Sequence, residues 1–463
     1  MLFSSAAFLT FLPIVFCGYW YVARYGSVAQ NFFIGGVSLV FYGWTDIRLC
    51  GLLLISISTA YYCALQIAAR RKCFLYIGVG LQLGLLAFFK YYNFFVSSIT
   101  QLFGLFGLRM DLPTLKIILP VGLSFYSFMA IAYMVDVHRK SVAPIRSPLL
   151  FFSCMSFFPQ LLAGPIGRMS NLLSQFEKVR CFEYAFAVDG CRQMLWGYFK
   201  KLVIADGCAS LTDQIYADVS QCSGSVLLLG AFMYAIQIYA DFSGYSDIAV
   251  GCGKLFGIRL QINFKCPYFA TNISEFWRRW HISLTTWFRD YLYIPLGGSR
   301  CSKGKQFCNT LVVFALSGLW HGANWTFVIW GILHAILFLP MIFFRKFINL
   351  VESFGVGKFI LGVTTFISVM LCWVFFRSTD FTMARNYLSC LFSASLFTIP
   401  KSHLSMLPLI LVSIIVEWFG RSREHSLDIA TWPKLLRWGV YFLVAIVCIA
   451  YKKRVAEFIY FQF

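Results

Sequence analysis

The sequence predicts an all-α polytopic membrane protein, and three observations predict it. Of 463 residues, 59% are hydrophobic and only 13% are charged, about half the ~25% usual for soluble domains. Mean hydropathy is +0.73. Several apolar runs reach the ~20 residues that a helix needs to cross a bilayer. A soluble globule has no polar cover for so much apolar surface. The composition equally excludes a disordered chain and a disulfide-built mini-protein.

Lys and Arg total 39 against 19 Asp and Glu, a net charge of +20. In a soluble protein this would suggest a nucleic-acid partner. Here the cations gather in short connections between spans, as the positive-inside rule expects, so membrane lipids and no nucleic acid are the expected surroundings. A basic cytosolic vestibule that attracts an anionic donor is the alternative use of the same charge. The 16 cysteines lie mostly inside apolar runs (Cys17, Cys50, Cys63, Cys154, Cys372, Cys448). They form no Cys-x-x-Cys pair and read as small buried hydrophobes.

No Lys or Arg precedes Arg24, so the basic start of a cleavable signal is missing and residues 5–22 read as a first span. Residues 27–45 and 49–69 follow. Arg70-Arg71-Lys72 then marks a cytosolic loop, which places the N-terminus outside. Residues 73–89 read as the fourth span. The stretch 92–110 is aromatic, glycine-broken and short, which predicts a re-entrant or interfacial element at the outer face. Residues 114–135 form a span that ends in His138-Arg139-Lys140. The run 148–163 stops at Ala163-Gly164-Pro165 and reads as a broken element. Further candidates are 187–208, 224–250, 307–320, 324–342, 357–376, 404–419 and 435–451. The last ends in Lys452-Lys453-Arg454, which predicts a cytosolic C-terminus. These make ten to twelve membrane elements. No repeat or linker divides them, and the chain reads as one helical domain, 1–463.

Three segments break the hydropathy pattern, and polar groups at membrane depth persist only when buried in protein or lining a wet cavity. The first is Tyr239-Ala240-Asp241-Phe242-Ser243-Gly244-Tyr245-Ser246-Asp247. Asp241 and Asp247 either pair with arginines or cap broken helix ends, or they contact donor or acceptor, with Ser243 beside them. The second runs from Asn272 to Tyr291. Asn272 followed by Glu275 resembles a capping box. From there the spacing predicts one amphipathic helix, with Ile273, Trp277, Trp280, Leu284, Trp287 and Tyr291 on its apolar face. Ser274, Arg278, His281, Thr285 and Arg289 form the polar stripe opposite. His281 on that stripe either makes structural hydrogen bonds or faces an aqueous path between cations. Arg300, Lys303 and Lys305 follow as a basic patch suited to phosphate. The third segment is Ser317-Gly318-Leu319-Trp320-His321-Gly322-Ala323-Asn324-Trp325. Glycine lets backbone or ligand approach closely, and histidine titrates where general-base work near neutrality requires. Asn324 is placed to orient the ring or to donate to an oxyanion. The six histidines show no His-x-x-x-His spacing, so no metal site is expected.

Together these segments resemble the signature of the membrane-bound O-acyltransferase (MBOAT) family. The likeness is to its bacterial alginate and peptidoglycan O-acetyltransferase branch, with the D-alanyl transfer protein of teichoic acid synthesis nearby. Further matching stretches are Leu119–Phe125, Phe158–Pro165, Trp196-Gly197-Tyr198-Phe199-Lys200-Lys201 and Trp373-Val374-Phe375-Phe376-Arg377, so the likeness runs in order from about residue 30 to 390. One departure is Met129, where the family pattern usually has Gln. The resemblance implies a ring of helices around a central funnel, with His321 as the catalytic histidine and His281 as the second signature histidine. Trp320, Asn324, Asp241, Ser243, Asp247, Arg278 and Arg289 would support or bind. It also implies acetyl-CoA or another acyl-CoA as donor substrate rather than bound cofactor, and a bacterial inner or plasma membrane. The acceptor hydroxyl would come from outside, directly or on an SGNH-type periplasmic partner. No Ser or Cys stands out as a nucleophile, which favours direct transfer. D-alanyl transfer from a carrier protein is the alternative within acyl transfer. A transporter or flippase is the alternative outside it, but that predicts two related halves, and none are visible.

Overall fold

A computed structural model describes every residue except 109, 111, 118, 119, 163, 401, 452–457 and 460–463. The described chain is 75% helical and has no strand. Seven of its helical segments are long and apolar enough to cross a membrane, so the chain is an all-α polytopic membrane protein. It folds as two compact units. One comprises residues 1–187 with 253–261; the other comprises 188–252 with 262–463.

The first unit opens with α1 (Ala6–Val22), which Ser5 caps by accepting the Phe8 N–H at 3.2 Å. Then come α2 (Ser27–Gly43), α3 (Arg48–Ala68) and α4 (Cys73–Leu86). A buried arginine ties this unit together. Arg180 donates to Asn31 Oδ1 at 2.8 Å and to the Tyr19 hydroxyl, and its backbone is held on both sides by the Gln30 amide. The arginine's charge is thereby met by hydrogen bonds rather than left bare.

The stretch 92–110 does not form a separate short element. A wide turn at Ala87–Tyr91 carries α4 directly into α5 (Tyr92–Leu105), and the continuous helix Cys73–Leu105 has 33 residues. At 1.5 Å per residue it is roughly 50 Å long, against a ~30 Å hydrocarbon core. No residue of α5 is buried. The described residues after α5 form no helix before residue 123, and Asn93 holds that segment with an amide that both donates to and accepts from the Leu115 backbone at 2.8 and 3.0 Å. The helix expected from residue 114 therefore starts later, as α6 (Leu123–His138). In a helix begun at residue 114, Pro120 would fall in the interior, where it has no N–H to donate and its ring clashes with the preceding turn. The broken element at 148–163 consists of α7 (Pro148–Ser156), a bend at Phe157 and a single turn at Phe158–Leu161. Ala163 lies outside the described residues.

After α8 (Met169–Glu177) and α9 (Tyr184–Tyr198), a wide π-helical turn at Phe199–Ala205 leads into α10 (Asp206–Ala217). The 32-residue α11 (Gly224–Leu255) follows. Within the second unit, Gly197 and Gly244 bring the chain after α9 against α11: a Cβ at either would strike the carbonyl oxygen of the other. The remaining helices of seven or more residues are α12 (Ile273–Arg279), α13 (Ile282–Phe288), α14 (Lys303–His321), α15 (Trp325–Leu337), which a short helix at Leu339–Phe343 extends, α16 (Arg345–Glu352), α17 (Gly355–Arg377), α18 (Phe381–Leu391), α19 (Leu407–Gly420) and α20 (Lys434–Tyr451). Lys452–Arg454, on which a cytosolic C-terminus is predicted, lie outside the described residues. Beyond them, Phe458 stacks on Tyr245 and the Ile459 N–H donates to Asp241 at 2.8 Å.

Candidate active site

The Asn272 cap is built as the capping pattern predicts, with one displacement. Asn272 Oδ1 accepts the Glu275 N–H at 2.9 Å, but Glu275 reaches back to the N–H and hydroxyl of Thr271, at 2.7 and 2.9 Å. Glu352, from α16, accepts from both Thr271 and Asn272 at 2.6 Å. Burial alone would raise the Glu275 carboxyl. The Thr271 donors and the Arg279 guanidinium outweigh it and hold the group below the usual glutamate range.

The helix that starts there does not continue to Tyr291. It ends after two turns, and His281 takes the left-handed conformation, φ 42° and ψ 54°. That conformation costs a non-glycine residue about 1–2 kcal/mol. The neighbouring 263–265 segment compensates by taking up the freed backbone groups. The Ile282 N–H donates to the Asn263 carbonyl at 2.9 Å, and the Lys265 N–H donates to the Arg279 carbonyl at 3.0 Å. Asn263 Oδ1 also accepts the Ser283 hydroxyl at 2.6 Å. The break removes His281 from the stripe formed by Ser274, Arg278, Thr285 and Arg289. Its ring is fully buried, edge-on to Phe242 at 4.6 Å and 5.8 Å from Trp320.

His321 is the last residue of α14. Gly318 and Gly331 let α14 and α15 cross backbone to backbone, because a Cβ at either would run into the carbonyl of Phe327 or Phe314. The His321 ring, 2% exposed, lies edge-on to Trp320 at 5.0 Å and to Trp330 at 5.1 Å, and near Phe376 at 5.5 Å. The His281 ring is 6.2 Å away. Trp320, His321 and His281 therefore share one aromatic box. Asn324 does a different job: it caps α15 by accepting the Thr326 N–H at 3.0 Å, and its amide nitrogen donates to the Thr379 carbonyl at 2.7 Å. With both ends of the amide on backbone, the ring-orienting and oxyanion roles expected of Asn324 are not what its contacts serve.

A third histidine belongs to this cluster and escapes the sequence reading. His334 is fully buried beside Trp330, at 4.8 Å, and its Nδ1 accepts the Trp277 indole N–H at 3.3 Å. The available signal is a lone histidine four residues after Trp330 in an apolar helix, where an unpaired polar group is costly.

The acidic segment lies in an unbroken α11. Asp247 pairs with Lys200 at 2.6 Å and accepts from Gln193 at 2.9 Å. Asp241 pairs with Lys201 at 2.7 Å, and Lys201 also reaches Asp206 at 2.9 Å. The partners are lysines from the π-helical turn rather than arginines. Ser243 is buried and has no hydrogen-bond partner among the described residues. From this segment Phe242 touches the histidine box.

A cavity of about 510 Å³ lies between α12–α13, α14 and α16. Arg278, Arg289 and Arg345 line it; Arg278 donates to Ser274 at 3.0 Å and Arg289 pairs with Asp290 at 2.7 Å. Trp277, Leu284, Phe288, Phe314 and Ile342 form apolar wall. Ser317, also in the wall, is one helical turn before His321 and on the same face of α14. Of the expected basic patch, Arg300, Lys303 and Lys305 are not in the lining, and Lys303 donates to the Phe343 carbonyl at 3.3 Å. Among the described residues no group of three His, Cys, Asp or Glu has the arrangement of a metal site.

Residues 135–383 match the family model of the membrane-bound O-acyltransferases. The chain is 36% identical over 449 residues to a probable alginate O-acetylase AlgI of Azotobacter vinelandii, covering 94% of this chain and 88% of that protein. It is 35% identical over 424 residues to a peptidoglycan O-acetyltransferase of Helicobacter pylori, covering 84% and 79%. It is 30% identical over 248 residues to a teichoic acid D-alanyltransferase of Bacillus subtilis, covering 50% and 62%.

Proposed function

The chain belongs to the membrane-bound O-acyltransferase family, and from that premise we propose that it takes an acetyl group from cytosolic acetyl-CoA for O-acetylation of an extracytoplasmic polysaccharide, with His321 as general base. The observation that carries this reading is the arginine-lined cavity whose wall reaches one helical turn from His321. Arg278, Arg289 and Arg345 suit the phosphates of a nucleotide donor, and the apolar wall suits its pantetheine arm. The acceptor hydroxyl oxygen attacks the thioester carbonyl, a C–O bond forms and the C–S bond breaks. The hydroxyl proton passes to the His321 imidazole and from there to the departing thiolate, so the step balances without an acyl-enzyme. His281 acts as a positioning residue through the shared aromatic box.

The long alignments to the two O-acetylating relatives support acetyl over D-alanyl as the group moved, since the D-alanyltransferase alignment covers only half of this chain. The membrane is the bacterial inner or plasma membrane, and the acceptor is presented by an SGNH-type partner. The exposed apolar side chains of α5 and its turn (Phe95, Leu102, Phe103 and Phe106) are the surface we assign to that partner. The experiment is acetyl transfer by purified protein in nanodiscs, measured beside acetyl-CoA binding. Loss of transfer with donor binding intact is expected for His321→Ala. A well-folded His321→Ala protein with near-normal turnover would overturn the assignment.

A further inference from the structure

A second pair of chambers lies in the same unit and shares no lining residue with the arginine-lined cavity. One is apolar and about 200 Å³, walled by α11, α17 and α19 through residues such as Phe232, Phe366, Ile410 and Ile414. It exceeds the ~150 Å³ cavity that holds a benzene molecule. The other is polar and only about 30 Å³, room for one or two water molecules. The two meet at Lys200, Tyr239, Cys266 and Glu417, which line both.

In the polar chamber Asp247 pairs with Lys200 at 2.6 Å, and at the junction the Glu417 carboxyl accepts the neutral Tyr239 hydroxyl at 3.0 Å. Beside the Lys200–Asp247 pair, Lys265, Arg421 and Arg423 remain around the polar chamber against two acids, Glu417 and Glu424, a surplus of one cation. Each arginine spends one N–H on a backbone carbonyl, Arg421 on Trp418 and Arg423 on Asp428, and keeps further donors. Ser243 Oγ and Asn263 Nδ2, both buried, line the same chamber without a hydrogen-bond partner among the described residues. An apolar chamber within membrane-embedded helices, joined to a chamber with a surplus cation and spare donors, matches an amphiphile with an anionic head. The membrane supplies one at high local concentration. We propose that this pair of chambers seats an anionic glycerophospholipid, with one acyl chain along α19 in the apolar chamber and its phosphate at the mouth of the polar one, where Lys265 and Arg421 are exposed beside Arg423.

The test uses the full chain in phosphatidylcholine nanodiscs doped with phosphatidylglycerol carrying a diazirine on its acyl chain. The same probe on phosphatidylcholine is the control, and labelled peptides are mapped by mass spectrometry. Phosphatidylglycerol should label the Leu407–Gly420 peptide several-fold more than phosphatidylcholine does. Ser413→Trp, at a lining position, should remove that excess. Val412→Trp, at a position 51% exposed on the same helix, should keep it. Arg421→Gln with Arg423→Gln should bring phosphatidylglycerol down to the phosphatidylcholine level. Equal labelling by the two lipids in the unaltered protein would overturn the proposal. So would an excess that survives Ser413→Trp.

Discussion

At the scale of single residues, the side chains that gather the candidate site are aromatic. His321 and His281 are legible in the sequence because each interrupts an apolar or amphipathic pattern. What surrounds them is not legible. Trp330, Phe376 and Phe242 come from three separate helices and read locally as ordinary core. General-base help is worth roughly 10²–10⁴-fold. His321→Ala should therefore lower kcat by at least that lower bound and leave acetyl-CoA affinity within about two-fold, measured by turnover beside donor binding. His281 does not line the arginine cavity. His281→Ala should likewise act on kcat rather than on donor KM; a rise in KM with kcat unchanged would place its role in donor binding instead. Gly318 has no room for a methyl group against the Phe327 carbonyl. Overpacking of this kind typically costs 1–3 kcal/mol, so Gly318→Ala should lower the thermal midpoint and should not be rescued by donor.

At the scale of elements, the pairing between α11 and the π-helical turn is the costly feature. A widened turn lets Lys200 and Lys201, consecutive in sequence, both reach acids on one helix. Removing one partner of a buried pair costs about 3–5 kcal/mol because the other charge stays buried. Asp247→Asn should therefore destabilise strongly. Asp241→Asn should be milder, since Asp206 still faces Lys201 at 2.9 Å. Thermal unfolding of both variants ranks them, and the reverse order would contradict this account. The start of α12 carries a pH signature. Glu275 has a depressed carboxyl in the folded state, so its contribution is present above the ordinary glutamate range and is lost as pH falls through the depressed value. The stability difference between the native protein and Glu275→Gln should shrink on acidification. A difference that stays constant down to strongly acidic pH would exclude the carboxylate as its source.

At the scale of the whole molecule, orientation is the open quantity that charge controls. Arg70–Lys72 between α3 and α4 and His138–Lys140 after α6 carry the positive-inside signal. A single cysteine at position 71, in a background without other accessible cysteines, should be labelled by a membrane-impermeant maleimide only from the cytosolic side. Labelling from outside in intact cells would invert the topology and the proposed donor side with it.

Class, the seven long apolar spans and the two histidines that break the pattern follow from composition and order along the chain, because hydropathy and the cost of polar groups in lipid are local properties. The break at Trp280–His281 does not. Local periodicity favours a continuous helix there, and the deciding groups, the carbonyl and side chain of Asn263 and the N–H of Lys265, approach from 16 to 18 residues upstream. The same holds for the union of α4 and α5, where glycines and aromatics read as an interruption but a wide turn carries the helix through. The lysine partners of Asp241 and Asp247 and the place of His334 beside Trp277 are likewise long-range. Residues too polar for lipid can be picked out along the chain one by one. What each of them meets depends on distant neighbours, which set its burial energy and which local pattern does not encode.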